Sequence, residues 1–152
     1  MPDSHAATTH TKPAGLLRRL FAILYDLLLI LALWMVIGAV FVAANKGVAV
    51  EDRSLQLTLL VVVILYFWFF WRQAGQTTGM QAWRLKLITP TGGRISTAQV
   101  ILRLVGATVS AGCVGLGYIW MLIDKESLTW HDRLSDTRLI VMPKDQKNKL
   151  IK

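Results

Sequence analysis

The sequence predicts an all-α membrane protein of three apolar segments, the third divisible at its glycines into two shorter helices, with a short cytoplasmic strand pair. Three observations lead there. The run Leu16–Ala44 is almost wholly hydrophobic and exceeds the roughly 20 residues that cross a bilayer core. Two further apolar segments follow, Leu55–Trp71 and Thr97–Ile123. Basic residues border these runs instead of forming a separate module, which is how membrane spans declare their orientation.

Taken in order, residues 1–14 form a polar leader with Thr, Ser, His and two prolines, expected to be disordered. Leu16–Ala44 is about twice as long as a signal-peptide apolar region and carries Asp26, so it reads as a retained span. Leu55–Trp71 ends in Tyr66-Phe67-Trp68-Phe69-Phe70-Trp71 and is capped by Arg72, an aromatic end that marks a headgroup interface. Gly75–Gly79 reads as a turn that lays Gln81–Leu87 along the headgroups. Arg84–Ile88 alternates polar and apolar residues, and Thr137–Val141 is β-branched and apolar after a charged start; both read as strands. The body of the fold is expected over residues 15–142, with a basic tail at 143–152.

Charge sets the expected sidedness. The connection Asn45–Ser54 is neutral, whereas Arg72–Ser96 holds Arg72, Arg84, Lys86 and Arg94 with no acid. With Lys12, Arg18 and Arg19 at the first entrance, the amino terminus and the long connection are expected in the cytoplasm. The carboxyl tail is basic too, and three full spans would put it outside. A third segment that enters and returns, broken at Gly106, Gly112, Gly115 and Gly117, resolves the conflict; a single span with glycines for close packing is the alternative.

At 152 residues there is room for one unit, and an apolar fraction of 54 % points away from a soluble domain. The net charge of +8 is explained by the flanks of the spans, so no nucleic-acid partner is expected. The single cysteine, Cys113, sits among small apolar residues and makes neither a disulfide nor a cysteine metal site. No metal and no cofactor are expected.

A carboxylate at the depth of Asp26 is costly unless paired or placed in a polar cavity. Arg19 precedes it by seven residues on nearly the same helix face, about 10 Å away along the axis and too far for direct pairing. Arg103, about two turns into the third segment, is the candidate partner. Two readings stand: an Asp26–Arg103 clamp between helices, or a titrating Asp26 that exchanges protons for Na⁺. Asp124 is either a second carboxylate of that pocket or helix-end punctuation. Trp130-His131-Asp132-Arg133 reads chiefly as an interfacial turn with local ion pairing, since no nucleophile accompanies the His–Asp pair. No enzymatic activity is expected.

The string Arg18-Arg19-Leu20-Phe21-Ala22-Ile23-Leu24-Tyr25-Asp26, then Gly75-Gln76-Thr77-Thr78-Gly79, Leu85-Lys86-Leu87-Ile88, Gly92-Gly93-Arg94, Gly115-Leu116-Gly117-Tyr118-Ile119-Trp120 and Thr129-Trp130-His131-Asp132-Arg133-Leu134 resembles the RDD family of small, mainly bacterial membrane proteins. The resemblance runs from about Gly15 to Val141. It implies that the family's arginine is Arg19 and its first aspartate Asp26, with Asp124 or Asp132 as the second. Many members read Gly-x-Thr-Pro-Gly-Lys where this chain has Thr78 in place of Pro and Met80 in place of Lys, so no lysine anion site is implied. The resemblance further implies a multi-pass protein of the bacterial inner membrane. Either monovalent cation/proton exchange or a non-transporting scaffold fits, with the lipid bilayer and a second copy or a partner membrane protein as company.

Overall fold

The computed structural model describes residues 12–46 and 53–143. Most of the leader, of the first connection and of the basic tail lie outside the described residues.

Helix α1 spans Leu16–Ala44 and helix α2 spans Arg53–Gln73; both are long and apolar enough to cross a membrane. The buried residues of α1 are Arg19, Ala22, Asp26 and Ile30, at spacings of three, four and four. That is one narrow helix stripe, and leucines such as Leu17, Leu24 and Leu28 on the remaining surface face outward, as an apolar solvent permits. At 1.5 Å per residue α1 is about 43 Å long against a hydrocarbon core of roughly 30 Å. Its first turns, with Arg19, can therefore stand in the polar layer.

The third apolar segment is not a straight helix. Helix α4, Thr97–Gly112, starts from a capping box in which the Ser96 hydroxyl accepts from the Gln99 amide and the Gln99 side chain accepts from the Ser96 amide. After Gly112 the chain turns through Gly115 at φ +76° and continues as α5, Leu116–Ile119, and a 3₁₀ turn, Trp120–Leu122, bent by 106° from α4. Gly115 takes the left-handed conformation a bulkier residue resists. Gly117 has room for no Cβ, because one would overlap the Ser110 hydroxyl, so α5 folds back tightly against α4. Helix α6, Trp130–Leu134, then packs on α4 around Gly106, where a Cβ would lie 3.0 Å from that of His131.

Strands β1, Leu85–Ile88, and β2, Arg138–Val141, pair antiparallel with Leu85 opposite Val141 and Ile88 opposite Arg138. Such a pair is marginal alone. It is completed by residues 12–14, which run along β2: the Ala14 amide donates to the Leu139 carbonyl at 2.9 Å and the Val141 amide to Lys12 at 3.0 Å. The end of the expected leader is thus paired with a strand, with Ala14 fully buried.

Leu85 and Leu87 point into the core with Ala14, Ala22, Trp71, Met80, Ile95, Val100 and Leu139. Within residues 81–87 the alternation of buried Leu85 and Leu87 with exposed Lys86 is that of the expected strand, with one face buried. The core sits where the start of α1, the end of α2 and the start of α4 meet this sheet and the short helix α3, Thr78–Ala82. Strand pairing brings the entrance of α1, the α2–α4 connection and the segment after α6 to one end of the long helices.

Candidate functional site

Two buried polar clusters occupy that end. In the first, Asp26 is 4 % exposed, and three neutral donors from other elements reach its carboxylate. The Thr77 hydroxyl donates to Oδ2 at 2.5 Å, the Gly79 amide to Oδ1 at 2.8 Å and the Tyr66 hydroxyl to Oδ1 at 2.8 Å. Thr77 is the N-cap of α3, its oxygen also accepting from the Met80 amide at 3.2 Å. One carboxylate therefore ties α1 to α2 and to the α3 turn. The approach is close: a Cβ on Gly79 would overlap the Ala22 carbonyl oxygen and lie 2.9 Å from Asp26 Cγ.

The second cluster is an Arg–Asp–Arg triad. Asp132 contacts Arg19 Nη1 through Oδ2 at 2.5 Å and Arg103 Nη1 through Oδ1 at 2.6 Å, with all three side chains buried. Arg19 also donates from Nε to the Ala14 carbonyl at 3.1 Å, and Arg103 donates to the Thr137 hydroxyl at 2.7 Å. The Arg103 guanidinium further stands 5.5 Å from the centre of the Trp71 ring. Local folding fixes the aspartate: it is the N3 residue of α6, its carboxylate accepting from the Thr129 amide at 3.2 Å while its own amide donates to the Thr129 hydroxyl. Burial works against charge on Asp132, but the guanidinium groups of Arg103 and Arg19 outweigh it and hold the carboxyl below the usual range.

His131 lies beside the triad, 4 % exposed, its ring 4.8 Å from that of Tyr118. Burial, then the nearby charge of Arg103, lowers its pKa to about 3, so it is neutral at physiological pH. Ser135 donates to the His131 carbonyl at 2.6 Å and lies 2.6 Å from the Thr137 hydroxyl, which links α6 back to Arg103.

The residues singled out from sequence sort as follows. Arg103 is not the partner of Asp26: helix α4 directs it to Asp132, and Asp26 is held by neutral groups. Arg19 and Asp26 share the buried stripe of α1 but serve different clusters. Asp124 joins neither. It accepts from the Leu128 amide at 2.9 Å and pairs with Arg133, fastening the turn before α6. The Leu128 hydrogen bond, aided by Arg133, lowers its pKa. Of the two aspartates considered as second to Asp26, Asp132 is the one in contact with Arg19.

Sequence reasoning missed Tyr66, Thr77 and Gly79 as ligands of Asp26, and Thr129 and Thr137 as supports of the triad. A usable signal existed for one: Thr129-Trp130-His131-Asp132 has capping-box spacing, which announces a helix start with an inward-turned acid. A cleft of about 250 Å³ lined by Glu126, Asp132, Arg133, Asp136, Thr137 and Arg138 reaches the triad. Among the described residues no group of three or more His, Cys, Asp or Glu side chains is arranged to hold a metal ion.

No curated protein and no solved structure matches the chain significantly. The model of the RDD family matches residues 13–136, a stretch that contains both polar clusters and every helix that carries them. With its apolar helices this marks a membrane protein, and the chain belongs to the RDD family.

Proposed function

We propose that this protein is a multi-pass bacterial inner-membrane scaffold or accessory subunit, amino terminus cytoplasmic, whose buried arginines and aspartates hold the helix ends and the small sheet in one arrangement. The observation that supports this reading is the placement of Arg19, Asp132 and Arg103: their mutual contacts join α1, α4 and α6 and lower the tendency of the triad aspartate to take up a proton. A carboxylate gripped by two guanidiniums is a poor proton carrier near neutral pH. The experiment is reconstitution of the purified full chain into proteoliposomes under Na⁺ or K⁺ gradients. The expected result is no proton flux above empty vesicles, together with stoichiometric recovery of a partner membrane protein on mild extraction. Cation-driven proton flux that Asp26→Asn abolishes would overturn it.

One observation favours monovalent cation/proton exchange as the second reading. Asp26 is surrounded by neutral donors, and among the described residues no salt bridge engages it. A carboxylate with no fixed protein cation beside it leaves its charge available to an exchangeable one. The same flux measurement decides between the two.

A further inference from the structure

Away from both clusters, a groove of about 260 Å³ opens between the end of α2, strand β1 and the turn that precedes α4. Arg72, Lys86 and Arg94 line it, and no acidic side chain does. All three cations are exposed, and among the described residues none takes part in a salt bridge. Like charges gathered around one low-dielectric concavity raise the local concentration of anions. Arg72 is further positioned for such a role: its Nη1 donates to the Thr97 hydroxyl at 3.3 Å and its guanidinium stands 6.0 Å from the centre of the Trp68 ring. The groove floor is apolar, with Trp71, Leu87 and Ile95 buried beneath it.

We propose that this groove binds the phosphate of an anionic phospholipid headgroup, with Arg72, Lys86 and Arg94 as its ligands. Free phosphate offers the same charge, but the position argues for lipid. The groove begins at the aromatic end of α2, the part of a span that sits at headgroup depth. Beside it Trp68 and Phe69 are exposed, giving acyl chains a surface to follow. Gly75, Gly92 and Gly93 also line the groove and add no side chains to its walls. The site stands apart from the Arg–Asp triad and does not depend on the function proposed above.

The test uses the full chain purified in a zwitterionic detergent, with the thermal midpoint followed against added phosphatidylglycerol, phosphatidylcholine or inorganic phosphate. Phosphatidylglycerol is expected to raise the midpoint saturably, and the other two are not. The triple variant Arg72→Gln/Lys86→Gln/Arg94→Gln is expected to weaken that response about tenfold or more. The charge-matched variant Arg18→Gln/Arg53→Gln/Lys125→Gln, which leaves the groove intact, is expected to keep it. An undiminished response in the groove variant, or an equal loss in the charge-matched one, would overturn the proposal, the latter by reducing it to bulk attraction. Equal protection by inorganic phosphate would overturn it in favour of a soluble-anion site. Should the triple variant not purify as a folded species, Lys86→Gln/Arg94→Gln is judged by the same outcomes, since neither charged group makes a hydrogen bond to the protein among the described residues.

Discussion

Arg19 and Asp132, 113 residues apart in the chain, meet at 2.5 Å with neither side chain open to solvent. The contact closes the fold: it fastens the first turn of α1 to α6, the last helix among the described residues, across the face of α4. Because Arg103 occupies the other carboxylate oxygen, the cluster carries one aspartate between two arginines and a net positive charge. The three members are therefore unequal, and their removal has unequal consequences.

Asp132→Asn leaves two guanidiniums buried side by side without an anion, whereas Arg103→Met leaves a neutral Arg19–Asp132 pair. Breaking a buried ion pair from one side costs about 3–5 kcal/mol. Asp132→Asn is expected to reach that range. Arg103→Met is expected to cost less, although it also gives up the Thr137 hydrogen bond and the Trp71 stacking. Denaturation midpoints in a fixed detergent, compared across the two variants, check the order; a costlier Arg103→Met would contradict the charge argument.

Gly79→Ala is expected to undo the Asp26 cluster without touching any charge. The added methyl overlaps the Ala22 carbonyl and crowds the carboxylate, so the α3 turn must move off α1 and the Thr77 and Gly79 hydrogen bonds go with it. A loss of about 2–4 kcal/mol follows from overpacking together with a carboxylate short of donors. Gly112→Ala is the matched control, because a Cβ there meets nothing within 4 Å. Faster proteolysis between Arg72 and Arg84 in the first variant alone would report the released turn.

His131 makes stability depend on pH below the ordinary imidazole range. In the unfolded chain it titrates near 6.5, and in the fold burial and the two arginines hold it near 3. Above pH 6.5 both states are neutral and the protein has its full stability. As pH falls from 6.5 toward 4 the unfolded state gains a proton that the folded state refuses, at about 1.4 kcal/mol per pH unit. The sign for Asp132 differs in window, not in direction: its folded pKa lies below 3.8, so its contribution is complete above that value and is lost only at lower pH. His131→Gln is expected to flatten the slope between pH 6.5 and 4 and to leave the loss below pH 4. Thermal midpoints at half-unit steps of pH check both parts.

The sequence made the long elements legible because each rests on a local quantity. Apolar run length gave α1 its bounds at Leu16 and Ala44, and alternation around Leu85 and Leu87 gave β1. The glycines between Gly106 and Gly117 located the break in the third segment, although only three-dimensional packing assigns the reasons: Gly106 for His131, Gly115 for its backbone and Gly117 for Ser110. The partners of the charges were not legible. The sequence puts Asp26 and Arg103 each about two turns into its apolar segment, and that expected depth with opposite charge made them a pair. What decides otherwise is the α3 turn, whose Thr77 and Gly79 occupy the carboxylate first, and the capping box of α6, which presents Asp132 to both arginines. Neutral ligands such as Tyr66 and Thr77 leave no charge pattern to read.

The arrangement of the strands carries a last prediction, about sidedness. Residues 12–14 pair with β2, and β2 pairs with β1, which lies in the connection between α2 and α4. Three segments so bonded cannot be divided by a bilayer. The two helices long and apolar enough to cross, α1 and α2, would return the chain to the side from which it started, and a bend of 106° after α4 would let it reach β2 without a third crossing. A topology reporter fused before Met1 and the same reporter fused after Lys152 are therefore expected to report the same compartment, and from the positive charge of Arg72, Arg84, Lys86 and Arg94 that compartment is expected to be the cytoplasm. Opposite readings would require β2 to leave β1. Breaking that pairing with Ile140→Pro, which removes an amide that faces β1, is expected to destabilise the protein while both reporters still agree, since the bend after α4 remains.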